Sequence, residues 1–229
     1  MKTYSKRFEA EKKKLEADSM YNVENAMRLV KEVASAKFNE SIEAHISLNI
    51  DPKYADQQLR TTVILPHGTG KTTRIGALVS PDRVSEAEAA GADVFGSENF
   101  IEDISKGILD FDLLITTADM MPKLAKLGRV LGPKGLMPSP KAGTVTTDLK
   151  ATVDEFKKGK LEYRADKAGI VHISFGKADF TENQLTENFM AFYNSVESNK
   201  PSGVKGKYIK KLTICSTMGP GIYLDFENF

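Results

Sequence analysis

Two kinds of periodicity divide the chain. Ile42, Ala44, Ile46, Leu48 and Ile50 alternate with Glu43, His45, Ser47 and Asn49. A period of two sends the apolar set to one face, so this stretch predicts a half-buried strand with its polar face left over. The alternation returns after Lys160. There Leu161, Tyr163 and Ala165 alternate with Glu162 and Arg164, and Val171, Ile173 and Phe175 with His172 and Ser174. Between them Asp166-Lys167-Ala168-Gly169 reads as a hairpin turn, with Gly169 suited to positive φ. Helical spacing accompanies these strands. Asn22 stands as an N-cap before Val23, Ala26, Met27, Val30 and Val33, while Thr181-Glu182-Asn183-Gln184 is a capping box before Leu185, Phe189, Phe192 and Val196. The opening segment to Asp18 reads as a charged helix, and Leu212 and Ile214 sit in a last strand.

The middle of the chain has another style. Thr62–Leu65, Ile75–Val79, Val94-Phe95 and Leu113–Thr117 are short, unbroken apolar runs. Helical stretches separate them: one opened by a capping box at Ser85-Glu86-Ala87-Glu88 and closed by Ala90-Gly91-Ala92, one from Glu98 to Ser105, and one holding Leu124–Leu127. Alternating strands and helices with uninterrupted apolar strands predict a parallel sheet covered on both faces. The expected fold is therefore α/β in the broad, α+β sense, with two domains. A discontinuous antiparallel-sheet α+β domain takes residues 1–66 plus 160–229, and a three-layer, Rossmann-like α/β domain is inserted over residues 67–159.

Composition narrows the class. At 229 residues, 41% hydrophobic and 28% charged, the chain is an ordinary globular protein, and it has no apolar run near the roughly 18 residues of a membrane span. No membrane partner is expected. The start MKTYSKRFEAEKKKLEAD lacks the apolar core of a secretion signal and is too rich in Glu for a transit peptide. A lone cysteine, Cys215, fits a reducing compartment and reads as a small residue in a strand. Together these point to the cytoplasm, although a plastid-encoded chain would read the same. Net charge is only +1, but it is segregated. Residues 198–224 hold no acid and five lysines, Lys200, Lys205, Lys207, Lys210 and Lys211, whereas Glu86–Asp119 is mostly acidic. For a polyanion partner the charges facing phosphate matter more than the total.

Catalytic signals are scarce. His67-Gly68-Thr69-Gly70-Lys71-Thr72 invites a nucleotide-binding reading, but the required first Gly is replaced by Leu65 and a strand follows where a helix belongs. A Gly-rich turn or hinge fits better. His45, His67 and His172 show no ligand spacing, no Cys pair exists for zinc, and there is no nucleophile elbow. Asp110 and Asp112 before an apolar run read as solvated strand-end carboxylates. No catalytic residue, metal or cofactor is expected. A nucleotide-binding enzyme using the inserted domain is the alternative, and a protein-interaction module using its acidic part a weaker one.

The most unusual stretch is Leu127–Val145, LGRVLGPKGLMPSPKAGTV. No acid occurs between Met120 and Thr147, while Lys123, Lys126, Arg129, Lys134 and Lys141 are basic. Its prolines and the glycines Gly128, Gly132, Gly135 and Gly143 forbid a long helix or central strand and predict an irregular basic loop. A flexible linker has the same composition, but Val130, Leu131, Leu136, Met137 and Val145 would then be anchors without a purpose. The motif LGRVLGPKGLMPSPK resembles the signature of the large-subunit ribosomal stalk family, ribosomal protein L-one. KFNESIE, IDPKYADQQLRTTVILPHGTGK, the AGAD at Ala90–Asp93 and STMGP extend the likeness along nearly the whole chain.

The resemblance implies two hinged domains, no enzymatic activity, and a place on the mobile stalk of the ribosome. It implies large-subunit rRNA as partner, release of tRNA from the exit site, repression of the protein's own mRNA, and a monomer within the ribosome. Residue by residue, Lys37, Phe38, Ser41, Thr217, Met218 and Gly219 match the family's rRNA grip, and Glu40, Arg164, Asp166, Lys167 and His172 extend it. By residue type alone, Phe38 reads as a core aromatic and Ser216–Pro220 as an ordinary turn. Otherwise Phe38 could stack on an unpaired base with Lys37 on a phosphate. The second-domain basic loop, Arg129, Lys134 and Lys141, would face departing tRNA or hold its own domain in shape.

Overall fold

The alternating and the unbroken apolar stretches form sheets of different kinds in the computed structural model, which describes residues 4–16, 19–204 and 206–226. Asp18, at the end of the charged opening segment, and Lys205, in the basic C-terminal run, lie outside the described residues. In chain order the elements begin with α1 (Lys6–Lys12), β1 (Met20–Tyr21), α2 (Val23–Val33), β2 (Ser41–Leu48) and β3 (Arg60–Ile64). Then come β4 (Ile75–Leu78), α3 (Val84–Ala89), β5 (Val94–Gly96), α4 (Glu98–Ser105), β6 (Leu113–Thr116), α5 (Met121–Ala125), α6 (Gly128–Leu131) and α7 (Leu149–Lys157). The chain closes with β7 (Lys160–Arg164), β8 (Ile170–Lys177), α8 (Glu182–Ser198), β9 (Ile209–Ser216) and β10 (Ile222–Leu224). It divides into two compact units, Met1–Gly70 with Glu162–Phe229, and Lys71–Leu161.

In the first unit a five-stranded sheet runs in the order β1-β10-β9-β2-β8. β2 lies between β8 and β9, antiparallel to both. The period-two pattern is realised residue by residue: Ile42, Ala44, Ile46 and Leu48 are buried, while Ser41, Glu43, His45 and Ser47 share the opposite face. α2 and α8 pack on the apolar face with Met27, Val30, Leu185, Phe189, Phe192 and Val196 fully enclosed. Each of these large side chains contributes about 1.5–3 kcal/mol on burial. Both helix starts are capped by side chains. The Asn22 side chain accepts from the Asn25 amide at 3.0 Å, and Thr181 and Gln184 form a complete capping box. β3 and β7 form a separate two-stranded sheet, and Tyr163 of β7 meets Phe192 edge-on at 5.3 Å. The turn after β7 needs glycine. Gly169 has φ +76°, and a Cβ there would press on the Ile50 carbonyl oxygen at 3.2 Å.

In the second unit β5-β4-β6 form a parallel sheet. One face packs Ile75, Ala77 and Ile115 against Ala87 of α3 and Leu149, Val153 and Phe156 of α7. The other packs Leu78 and Leu114 against Phe100 and Ile104 of α4, Leu124 of α5 and Leu131 of α6. That burial on both sides is why these strands carry no polar alternation.

Local readings fail where a neighbouring element takes precedence. β2 ends at Leu48, so Ile50 lies beyond it. α3 begins at Val84 with no side-chain cap, because a 3-10 turn over Pro81–Arg83 runs straight into it and leaves Ser85 inside the first turn. Leu127 falls between α5 and α6 rather than within a helix. The Leu127–Val145 stretch is less irregular than its composition implies, holding α6 and a 3-10 turn over Pro140–Ala142. Gly135 and Gly143 take positive φ there, whereas Gly128 and Gly132 do not, since they belong to the short helix and its end. Leu131 and Pro138 are buried and Leu136 and Met137 pack on the core, so the stretch is anchored rather than a linker.

Candidate functional site

The uncovered polar face of β2 leads at its N-terminal end into the loop from α2, where Lys37 and Phe38 stand exposed. Phe38 is 54% accessible, which removes it from the core. Behind it Glu40 is 1% accessible, and its two carboxylate oxygens tie two distant loops together. Oε1 accepts from the Ala36 amide at 2.8 Å, and Oε2 from the Met218 amide at 2.9 Å. Burial by itself would raise the Glu40 pKa, but the two amides and the Arg7 charge outweigh it and hold the carboxyl below its usual range. Both Glu40 oxygens are thus engaged by backbone amides in a buried site. The side chain braces the surface instead of presenting itself.

Ser216–Gly219 closes the other side. The Thr217 hydroxyl accepts from the Ser41 amide at 3.0 Å and donates to the Ser41 carbonyl at 3.2 Å, while the Thr217 amide bonds the same carbonyl at 3.0 Å. The hydroxyl is thus a clamp on the start of β2. Met218 is 49% exposed, and its carbonyl accepts from Arg7 at 3.2 Å. Gly219 has no positive φ; a Cβ there would meet Ser216 Oγ at 2.5 Å, so glycine lets the turn fold on itself. Lys37, Phe38, Ser41, Thr217, Met218 and Gly219 thus form one surface at one end of the sheet. Lys177 joins it, donating to Ser41 Oγ at 2.8 Å.

A second group gathers around the β7–β8 turn. Arg164, Asp166, Lys167 and His172 line an open groove of about 790 Å³ together with Arg60 and Glu162. Arg164 belongs to the β3–β7 sheet and not to the polar face of the large sheet, because β7 pairs with β3. The amides of Ile170 and then Ala168 lower the Asp166 pKa by donating to Oδ1 at 2.8 and 2.9 Å. Oδ2 faces His172 Nε2 at 3.6 Å. The polar face of β2 bridges the two groups. His45, four residues from Ser41, is the register partner of His172, and their Nδ1 atoms are 2.8 Å apart.

Two other sequence candidates resolve differently. The His67–Thr72 turn is pinned by buried Asn188, which accepts from the His67 amide at 3.0 Å and donates to the Gly68 carbonyl at 2.8 Å. β4 rather than a helix follows it, unlike a phosphate-binding loop. Asp112 is not merely solvated; it pairs with Lys71 at 2.7 Å, which lowers its pKa, and also accepts from the Arg74 amide. Arg129, Lys134 and Lys141 are exposed on the second unit.

Arg7, Lys177, Glu43 and Cys215 went unread as part of this surface. Arg7 lies on α1, and the only sequence signal of the other three is a polar residue at an outward strand position, which most solvated strands share. Burial, and then the Glu43 charge, push the Cys215 thiol from 9.0 up to about 11.

Against known proteins, residues 30–220 match the family described as Ribosomal protein L1p/L10e. The chain is 65% identical over 213 residues to "Large ribosomal subunit protein uL1c" of Trieres chinensis, covering 93% of each chain. It is 60% identical over 227 residues to "Large ribosomal subunit protein uL1" of Prochlorococcus marinus (strain MIT 9515), covering 99% of this chain and 96% of that one. To the uL1c of Rhodomonas salina it is 62% identical over 209 residues, 91% of this chain and 89% of the relative.

Proposed function

The chain belongs to the ribosomal protein L1p/L10e family, and on that premise we propose that it is a structural, non-enzymatic constituent of the large ribosomal subunit. In this reading its discontinuous domain, residues 1–66 plus 160–229, binds large-subunit rRNA, and residues 67–159 form the inserted domain. The observation that carries it is the Glu40 brace, which joins the loop of exposed Phe38 to the turn of exposed Met218. An exposed aromatic beside a lysine offers a stacking platform for an unpaired base and a charge for its phosphate. Ser41 and the 217–219 backbone supply short polar contacts to sugar and phosphate. Arg164, Lys167 and His172 would meet a neighbouring RNA segment across the groove, with Asp166 orienting the imidazole.

The same surface would serve two RNA targets in competition, rRNA and the protein's own mRNA, which is a physical basis for autorepression. Arg129, Lys134 and Lys141 on the inserted domain would meet tRNA leaving the exit site. The ribosomal relatives, two of them named uL1c, support a ribosomal location in a bacterial or plastid setting.

Equilibrium titration of a stalk-loop rRNA transcript tests the central claim. Phe38→Ala should weaken binding by about 1–3 kcal/mol, roughly 5- to 150-fold, with the far-UV circular dichroism unchanged. Equal affinity in the folded variant would take the aromatic out of the interface and leave family membership alone behind the reading.

A further inference from the structure

The uncovered face of the five-stranded sheet carries three donor side chains of different chemistry. Glu43 and Cys215 are direct register partners on β2 and β9, and His45 lies two residues further along the same face of β2. One ligand atom from each falls within 4.8 Å of the others. His45 Nε2 is 3.2 Å from Cys215 Sγ and 4.0 Å from Glu43 Oε2. A tetrahedral zinc ion with ordinary bond lengths separates its nitrogen, sulfur and oxygen ligands by about 3.4–3.6 Å. The observed spacings straddle that value, and two adjacent strands hold them.

One tautomer of the His45–His172 pair suits a metal ligand. The Asp166 carboxylate, 3.6 Å from His172 Nε2, is beyond hydrogen-bond distance, but its charge favours a proton on that nitrogen. His172 Nδ1 is then an acceptor, and His45 Nδ1 donates to it across 2.8 Å. That leaves the lone pair of His45 on Nε2, facing the thiol. A hydrogen-bond partner on the outer nitrogen holds the tautomer and ring orientation of a metal-ligating histidine, and here the second imidazole fills that place. Without a metal the thiol proton occupies the space between Cys215 and His45. A divalent cation there would displace it and bind the thiolate.

We propose that Glu43, His45 and Cys215 form a three-ligand site for a Zn²⁺-class ion, with His172 positioning His45 and a fourth coordination position open to solvent. Mixed nitrogen, sulfur and oxygen donors suit zinc, whereas Mg²⁺ and Ca²⁺ call for oxygen alone. The site's three ligands are not among the residues assigned to RNA, although His172 and Asp166 also belong to the proposed RNA groove.

Co²⁺ as chloride, titrated into the reduced full-length protein, is the probe, with Zn²⁺ added afterwards in competition. The expected result is one Co²⁺ per chain, visible d–d bands of tetrahedral intensity and a near-ultraviolet thiolate charge-transfer band, all removed by Zn²⁺. Cys215→Ser should abolish the charge-transfer band. Glu43→Gln should weaken Co²⁺ binding at least tenfold. His172→Gln should weaken it about 10- to 100-fold while leaving the charge-transfer band at saturation, which separates a positioning role from ligation. Absence of the band in wild-type protein, its survival in Cys215→Ser, or unchanged affinity in Glu43→Gln would each overturn the site. The wild-type measurement decides the matter even if a variant does not fold.

Discussion

Glu40→Gln is the sharpest probe of the surface, because it removes a charge and one acceptor while keeping the side chain's shape. In the native protein each carboxylate oxygen accepts one backbone amide, at 2.8 Å from Ala36 and 2.9 Å from Met218. Glutamine can satisfy only one of them, since its amide group is a donor and would face the other N–H. A hydrogen bond to a charged acceptor contributes about 1.5–3 kcal/mol, and a buried donor left unpaired costs about 1–3 kcal/mol. Part of that cost is recovered by small shifts of two surface loops, so a loss of about 2–4 kcal/mol in the stability of the discontinuous unit is expected. Urea unfolding followed by far-UV circular dichroism reads the total, and amide exchange at Ala36 and Met218 reads the local part. The pH dependence is a second signature. The native carboxyl titrates below its ordinary value of 4.5, so on acidification the unfolded chain takes up the proton first. The stabilisation is therefore complete above that value and is lost as pH falls through the lower native pKa. The gap between wild type and Glu40→Gln should be constant at neutral pH and narrow once the pH drops below about 4.5. A variant within about 0.5 kcal/mol of wild type, or a gap that ignores pH, would refute the bracing role.

Other consequences can be checked alongside. Asn188→Ala leaves the His67 amide and the Gly68 and Phe175 carbonyls without their side-chain partner; it should cost about 3 kcal/mol in urea unfolding, and a loss under about 1 kcal/mol would mean water replaces it. Because the Cys215 thiol is pushed up to about 11, iodoacetamide at neutral pH should alkylate the native protein at least tenfold more slowly than the urea-unfolded chain, and equal rates would contradict the burial. Thr217→Val should lower stability as well as RNA affinity, because its hydroxyl holds both the amide and the carbonyl of Ser41; a purely RNA-specific loss would restore the hydroxyl to the interface.

Much of the secondary structure could be read before any coordinates, because it depends on interactions between residues a few positions apart. Alternation over 42–48 and 171–175 dictates strands with one wet face, and the Thr181–Gln184 box dictates where α8 begins. The unbroken apolar runs at 75–78 and 113–116 likewise announced a sheet covered on both sides. Reading by local chemistry broke down where an adjacent element overrode it, as when the 3-10 turn at Pro81–Arg83 left Ser85 no cap to make. The family motif supplied Lys37, Phe38 and the Thr-Met-Gly turn, but not what each does. Whether Glu40 faces a ligand or two backbone amides depends on Met218, 178 positions away. Whether His45 has ligand neighbours depends on Cys215, 170 positions away, and on His172. Such pairings arise only when antiparallel registers are set by the packing of both apolar faces, and no short-range pattern in the chain encodes them.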